Sequence, residues 1–171
     1  SPAISWNGTN YLVVWRDARS GTSNDIYGAR VSAAGAILDP VGFMICEAAD
    51  DQDLPSVGWN GANWFVAWQD FRSGVSWDIY MARVSPAGAV LDPAAVPVSI
   101  GIEDETHPRL VFGGTGFLLT WQDFRNGNDD DIYASRIGSL ATVLDPAGIV
   151  VSATAGTQSG QAFRIKGRGV V

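Results

Sequence analysis

The sequence predicts an all-β protein of the β-propeller class, and three observations support that prediction. One stretch recurs as WRDARSGTSNDIY, WQDFRSGVSWDIY and WQDFRNGNDDDIY. The copies follow one another at a constant step of 53 residues, which Trp15, Trp68 and Trp121 keep without insertion or deletion. Each copy also reads as four short strands, and four strands in about 40–50 residues are typical of a propeller blade.

The first two strands of each copy are predicted from their apolar patterns. The stretch PAISW alternates and precedes Asn7-Gly8, which favours a hairpin because both residues tolerate a positive φ. Tyr11–Trp15 is a continuous apolar run, as expected for a strand that is buried on both faces. Blades that pack face to face require such a middle strand.

The third and fourth strands follow a loop around Gly21. Asp25–Ser32 is predicted as the third strand, and the fourth begins at Ala36–Leu38. Asp39-Pro40 interrupts the fourth strand, which resumes at Phe43–Cys46. A right-handed β-solenoid is the alternative, and it is disfavoured because solenoid coils are usually shorter.

The repeats divide the chain into three predicted blades and a remainder. The predicted boundaries are 1–53, 54–106 and 107–159, followed by an extra strand or the start of a fourth blade at 160–171. The remainder continues the pattern weakly through Phe163, Ile165, Gly167 and Val170. Because a closed ring needs about four to eight blades, we expect completion by a second copy, giving six blades, or by further blades of a longer chain.

The repeat pattern, WNG…W-x-D-x-R-x-G…DIY…G…LDP, resembles the β-propeller repeats of secreted bacterial proteins over residues 1–158. The resemblance implies the propeller fold and an extracellular or cell-surface location. It does not imply an activity, because propellers host hydrolases, lectins and scaffolds alike. Asp-box sialidases are a more distant analogy, since their S-x-D-x-G-x-T-W motif does not occur here.

Composition restricts the partners. The 171-residue chain carries a net charge of −7 with only 11 Lys and Arg, which argues against nucleic acid and anionic membrane surfaces. No apolar run reaches the length of a membrane span. The chain begins at a repeat boundary without a signal peptide, as a mature product or an excised piece would. The single Cys46 and the single His107 are predicted to be structural.

The repeated charged residues are predicted to be structural because catalysis rarely needs three copies of one constellation. An aspartate after the strand-ending Trp can accept hydrogen bonds from the following loop, and the arginine two positions later can pair with either repeated aspartate. Recurrent ligand sites are the alternative. The set comprises Asp17, Arg19, Asp25, Asp70, Arg72, Asp78, Asp123, Arg125 and Asp131.

A carbohydrate site is predicted on the loops, because an exposed aromatic ring can stack on a sugar. Trp77 is the first candidate, since its equivalents Asn24 and Asp130 show that the fold does not require an aromatic there. The further candidates for ligand binding are Phe71, Phe124, Arg72 and Arg125. No cofactor is required, although the acidic loop with Asp129, Asp130 and Asp131 allows calcium, which prefers oxygen ligands.

The sequence therefore predicts a non-enzymatic extracellular binding or scaffold module, with carbohydrate as the favoured ligand and protein next. The alternatives are a purely structural assembly module and a sialidase-like, glycoside-acting hydrolase. The hydrolase alternative needs converging arginines and a tyrosine. The matching residues, Arg30, Arg83, Arg136, Tyr27, Tyr80 and Tyr133, occupy repeated slots and are expected to spread around the ring.

Overall fold

The computed structural model describes residues 1–152, which form twelve strands in three four-stranded antiparallel sheets. The first sheet holds β1 (Ala3–Trp6), β2 (Asn10–Asp17), β3 (Asp25–Ser32) and β4 (Phe43–Cys46). The second holds β5 (Gln52–Trp59), β6 (Trp64–Asp70), β7 (Asp78–Val84) and β8 (Val96–Ser99). The third holds β9 (Glu105–Phe112), β10 (Phe117–Asp123), β11 (Asp131–Ile137) and β12 (Ile149–Ser152).

The three sheets are propeller blades. In each sheet the strands lie in chain order, joined as neighbouring antiparallel pairs. The first strands β1, β5 and β9 contact one another in sequence, so they are the innermost strands of the blades. This arrangement confirms the predicted all-β propeller fold with three four-stranded blades. The predicted start of a fourth blade lies outside the described residues. The described part of the chain contains no helix of the length and apolarity needed to cross a membrane.

Two of the predicted blade boundaries fall inside strands. β5 begins at Gln52 and β9 at Glu105, upstream of the boundaries predicted before residues 54 and 107. The strand continues through an irregularity just before the proline, where the β5–β6 register shifts between Asp53 and Ser56. Leu54 and His107 have φ values of 50° and 56° there. A single irregular residue therefore looked like a strand start in the sequence.

Burial of the middle strands depends on which blades lie beside them. All seven residues of β6 are buried because blades cover both of its faces. Leu12 and Val14 pack with Trp68 between the first and second blades, whereas Phe65 packs with Trp121 between the second and third. β2 and β10 show alternating burial because the described residues cover only one of their faces.

Two apolar blade faces are consequently uncovered by any described residue. On the first blade, Trp6 and Tyr11 lie with ring centroids 4.5 Å apart and are both exposed. On the third blade, Val111 and Leu118 are exposed. Tyr11 occupies the repeat position of Trp64, and Leu118 occupies that of Phe65. The two uncovered faces are therefore equivalent to the two faces that meet where one described blade packs on the next.

Gly58 shows how closely the second and third blades approach. A Cβ atom at Gly58 would lie 2.6 Å from Leu110 Cδ1 and 2.6 Å from Phe117 Cε1. The third blade has Val111 in the same slot, and that residue is 64% exposed because no described blade packs on it. The absence of a side chain at Gly58 is therefore a requirement of the interface and not of the strand.

We predict that Gly58→Ala lowers the free energy of unfolding by about 1–3 kcal/mol, the usual cost of overpacking a well-packed contact. Urea unfolding followed by Trp fluorescence measures the change. Gly113→Ala is the matched control, because a Cβ there would meet only Gly116 O at 3.6 Å. Equal losses in the two variants would contradict the proposed interface constraint.

Candidate functional site

The repeated motif builds a hydrogen-bonded group around one carboxylate per blade. In the second blade Trp68 Nε1 donates to Asp70 Oδ2 at 2.8 Å, because side chains two positions apart on a strand share a face. The backbone N–H of Arg72 donates to Asp70 Oδ1 at 3.0 Å, and its Nε donates to the same oxygen at 2.9 Å. The Asp70 side chain is fully buried.

The other two blades repeat these contacts. Trp15 Nε1 donates to Asp17 and Trp121 Nε1 to Asp123, both at 2.8 Å. The hydrogen bond from the Arg19 guanidinium is the largest of the influences that hold the pKa of Asp17 well below its usual range. In every described blade, one carboxylate thus joins the end of a middle strand to the loop that follows it.

Each arginine of the motif also binds the next strand. The guanidinium carbons of Arg19, Arg72 and Arg125 lie 4.2, 3.9 and 3.8 Å from the ring centroids of Tyr27, Tyr80 and Tyr133. The Nη1 atoms donate to backbone carbonyls of the link between the third and fourth strands, those of Val41, Ala94 and Ala147. The predicted ligand-binding residues Arg72 and Arg125 therefore contact an aspartate, a tyrosine ring and a carbonyl within their own blades.

The second repeated aspartate of each copy lies on the third strand of the blade, opposite the first aspartate on the second strand. Asp25, Asp78 and Asp131 are buried and pair in register with Asp17, Asp70 and Asp123. Burial is the largest cause of the raised pKa of Asp25 and Asp78. Asp78 Oδ1 accepts a hydrogen bond from Gly101 N at 3.1 Å. The repeated arginines form their ion pairs with the first aspartate of each copy.

The predicted aromatic candidates form one pair and one separate residue. Phe71 and Trp77 lie at the two ends of the β6–β7 loop, with ring centroids 5.2 Å apart at an interplanar angle of 51°. Both are half-buried. Phe124 is half-buried in the corresponding loop of the third blade. Their role in ligand binding stays a prediction.

The acidic loop of the third blade is organised by an amide. Asn126 Nδ2 donates to Asp129 Oδ1 at 2.7 Å and to Asp131 Oδ2 at 3.0 Å. Asn126 Oδ1 accepts from the backbone N–H groups of Asn128 and Asp129. Among residues 1–152, no three or more His, Cys, Asp or Glu side chains are grouped to hold a metal ion. Calcium at Asp129, Asp130 and Asp131 stays a prediction.

The arginines of the hydrolase alternative each pair inside their own blade. Arg30 Nε lies 2.8 Å from Asp39 Oδ2, Arg83 Nη2 lies 2.7 Å from Asp92 Oδ1, and Arg136 Nη2 lies 2.8 Å from Asp145 Oδ1. The hydrogen bonds from Arg136 lower the pKa of Asp145 to about 2. The nine-residue spacing from Arg to the Asp of LDP recurs in every copy and was the sequence signal for these pairs.

Aspartates of the connecting segments join successive blades. Asp51 Oδ1 accepts hydrogen bonds from Asn24 N and Nδ2, both at 2.8 Å. Asp104 Oδ1 accepts from Trp77 N at 2.9 Å. These residues lie in acidic runs whose role the sequence left open. Each connector thus supports the β2–β3 or β6–β7 loop of the blade before it.

The blades differ in chemistry at the starts of their inner strands, as well as in the loops that hold Trp77 and the acidic residues Asp129 and Asp130. The first of these regions comprises the starts of β5 and β9 with the strand ends beside them, here called the inner-strand entrance: Arg16, Asp53, Gln69, Thr106 and His107. Arg16 Nη1 pairs with Asp53 Oδ2 at 2.8 Å. Gln69 Oε1 accepts a hydrogen bond from His107 N at 3.2 Å. Asp53 shares its slot with Thr106, and Leu54 with His107, so a comparison of the copies slot by slot would have found this region.

Comparisons with known proteins place the chain among propellers. No family model and no curated protein matches it. An α-L-arabinofuranosidase from Lactobacillus brevis matches with 13% identity and a TM-score of 0.54, over 83% of this chain and 54% of that chain. A family GH43 endo-arabinanase from Bacillus licheniformis matches with 10% identity and a TM-score of 0.51, over 83% and 55%. GH43B of a Bacteroides ovatus xyloglucan locus matches with 12% identity and a TM-score of 0.52, over 91% and 28%.

These matches correct the functional prediction. At such identities the likeness shows the propeller fold alone, and this chain spans about half or less of the length of the matched chains. The neighbours whose names state an activity are arabinose-releasing or arabinan-cleaving enzymes. These neighbours contradict the prediction of a non-enzymatic binding or scaffold module, and they favour its alternative, the glycoside-acting hydrolase.

We predict that Asp70→Ala lowers the free energy of unfolding by about 3–5 kcal/mol, because it leaves a partly buried arginine without its carboxylate. Asp17→Ala is the matched control. The Asp17 side chain is 14% exposed and Arg19 44%, against 0% and 23% for Asp70 and Arg72. We expect the control to lose about 1–2 kcal/mol. Urea unfolding tests both variants, and a loss for Asp17→Ala as large as that for Asp70→Ala would contradict the role of burial.

Proposed function

We propose that this chain forms three blades of a propeller that hydrolyses glycosides, with arabinofuranosides as the first substrate class to test. The observation that supports the proposal most directly is the fold likeness to arabinoside-cleaving propellers over 83% of the chain. The regular repeat also restricts where a single reaction centre can lie. A ring of equivalent blades can hold a single reaction centre only where the copies differ.

The inner-strand entrance meets this condition on the innermost strands of the blades. Asp53 lies on an innermost strand, and its slot holds a carboxylate in the first copy but Thr106 in the second. The Asp53 side chain is 19% exposed, with Arg16 Nη1 donating to its Oδ2 and Leu54 N donating to its Oδ1. A carboxyl group is the side chain that acts as general base or nucleophile in most glycoside hydrolysis. We therefore assign Asp53 as the carboxyl group that these blades contribute.

Glycoside hydrolysis usually needs a second carboxyl group as the acid. The two groups stand about 5–5.5 Å apart in retaining enzymes and about 6.5–9.5 Å apart in inverting enzymes. We assign the second group to a blade beyond these three, because the chain spans about half of the arabinoside-cleaving chains that it resembles. Thr106 Oγ1 and His107 Nδ1, which lie 3.0 Å apart, supply hydrogen-bonding groups for sugar hydroxyls at the same end of β9.

The remaining blades also account for the two uncovered faces. We propose that further blades of a longer chain pack on them, with a second copy of this chain as the alternative. In both arrangements, a blade face equivalent to the one that carries Trp68 would pack on a blade face equivalent to the one that carries Phe65. The interfaces described above pair their faces in the same way. A polysaccharide substrate lies outside the cell, which favours the extracellular location that the repeat pattern implies.

We predict that the whole protein releases sugar from p-nitrophenyl α-L-arabinofuranoside or from arabinan, and that Asp53→Asn lowers kcat by about 10²–10⁴-fold. The amide keeps the size of the side chain but loses the charge. Initial rates of p-nitrophenol and reducing-sugar release measure the change. Glu47→Gln is the matched control, because Glu47 is an exposed acid of the segment that leads into β5. Full activity in Asp53→Asn would overturn the assigned residue, and absence of hydrolysis in the whole protein would overturn the function.

A further inference from the structure

Glu105 occupies a buried slot at the junction of the second and third blades. The residue is 3% exposed, and its backbone N–H donates to Trp77 O at 2.7 Å. Gln52 occupies the same slot at the junction of the first and second blades. It is 0% exposed, and its backbone N–H donates to Asn24 O at 2.8 Å. The two junctions thus share a backbone geometry and differ in the side chain.

The contacts of Gln52 show what the slot requires. Gln52 Oε1 accepts a hydrogen bond from Ala48 N at 3.3 Å. Gln52 Nε2 donates to Ala49 O and Asp50 O, both at 3.1 Å. A side chain at this position must therefore both accept and donate hydrogen bonds with the segment that connects the two blades. A carboxylic acid can do both, whereas a carboxylate can only accept. The third copy of the sequence also has glutamine in this slot, at Gln158.

The charges around Glu105 are predominantly negative. Asp123 lies opposite Glu105 in register on β10, Asp78 lies at the start of β7, and Asp104 immediately precedes it. Arg125 is the positive group that acts on Glu105, and its guanidinium is bound to Asp123. Glu105 Oε2 is buried without a hydrogen-bond partner among the described residues. Glu105 Oε1 lies so close to the backbone of Gly101 that a Cβ atom on residue 101 would clash with it.

We propose that Glu105 is a proton-controlled latch between the second and third blades. The neutral acid takes the place that glutamine takes at the preceding junction and holds the connector of residues 100–104 against the third blade. Ionisation puts a negative charge beside Asp78 and Asp123 and removes the donor, which loosens the connector. The latch is independent of the proposed hydrolase activity.

Burial, followed by the charges of Asp123 and Asp78, raises the pKa of Glu105 from 4.5 to about 8 in the folded protein. A carboxyl whose pKa is higher when folded contributes its stability fully below the unfolded value, and this contribution is lost as the pH rises through the folded value. The window therefore runs from pH 4.5 to about pH 8. Within it, the unfolding equilibrium constant rises about tenfold per pH unit on account of this one proton.

We predict that Glu105→Gln removes this dependence. Urea unfolding of the wild type and the variant between pH 4.5 and 9 measures it. The ratio of the wild-type to the variant unfolding constant should rise with pH up to about pH 8 and then level off, leaving the variant the more stable protein. Parallel curves, with a constant ratio across that range, would overturn the latch, and so would a ratio that falls with pH.

Gln52→Glu is the converse variant, because it introduces the carboxyl at the first junction. There Asp70 lies opposite in register and Asp51 precedes the slot. We expect the unfolding constant of this variant to gain a pH dependence that the wild type lacks at that junction.

Hydrogen exchange of residues 100–104, corrected for intrinsic rates, should accelerate above pH 8 in the wild type and not in Glu105→Gln.

A direct titration keeps the proposal testable even if the variants fold poorly. ¹³C NMR of wild-type protein labelled at the glutamate side chains follows the Glu105 carboxyl through its ionisation. A midpoint near pH 8 supports the latch. A midpoint near the ordinary value of about 4.3 overturns it, whatever the variants show.

Discussion

The structure of each blade depends on one hydrogen-bonded carboxylate, which is fully buried in the second and third blades. Asp70 binds the indole N–H of Trp68 and both the backbone and the guanidinium of Arg72. Through Arg72 the group extends to the ring of Tyr80 and to the carbonyl of Ala94. A buried charge is tolerated only when it is paired and hydrogen-bonded. The sequence therefore cannot vary one member of the group without penalising the others, which accounts for its recurrence at a fixed spacing in all three copies.

Face-to-face packing of the blades adds the second constraint. The middle strand β6 is buried on both faces, and Gly58 has no room for a side chain beside Phe117. Asp51 and Asp104 then join each connector to the loop of the blade before it. The copies still differ in chemistry in their loops and at the starts of the inner strands. Asp53, Glu105 and His107 all lie there, which is why both proposals concern that end of the blades.

The functional prediction from sequence failed for an identifiable reason. Three equal copies of Asp, Arg and Tyr predicted that the repeated residues do not form one reaction centre, and Arg30, Arg83 and Arg136 each pair inside their own blades. That argument did not extend to the slots where the copies differ, and Asp53 and Glu105 are non-repeated acids in neighbouring slots of two adjacent inner strands. The arabinoside-cleaving fold neighbours then contradicted the non-enzymatic interpretation. Positions that repeat in every copy identify the residues that build the blades, and positions that differ between the copies identify the candidate site.

The sequence by itself determined the blade number in the described residues, the strand order and the approximate position of each strand. Asp25–Ser32 was predicted with the limits that the structure has, because turn signals and apolar periodicity are local properties of the chain. The fourth strand was predicted to begin at Ala36–Leu38, but the structure has only an isolated bridge at Ile37 there and begins β4 at Phe43. Only the tertiary structure decided that β5 begins at Gln52, that Arg30 pairs with Asp39, and that Glu105 is enclosed beside Asp78 and Asp123. Burial and charge environment arise from residues distant in the chain. A glutamate in an acidic run therefore reads as a solvated charge until the neighbouring blade is in place.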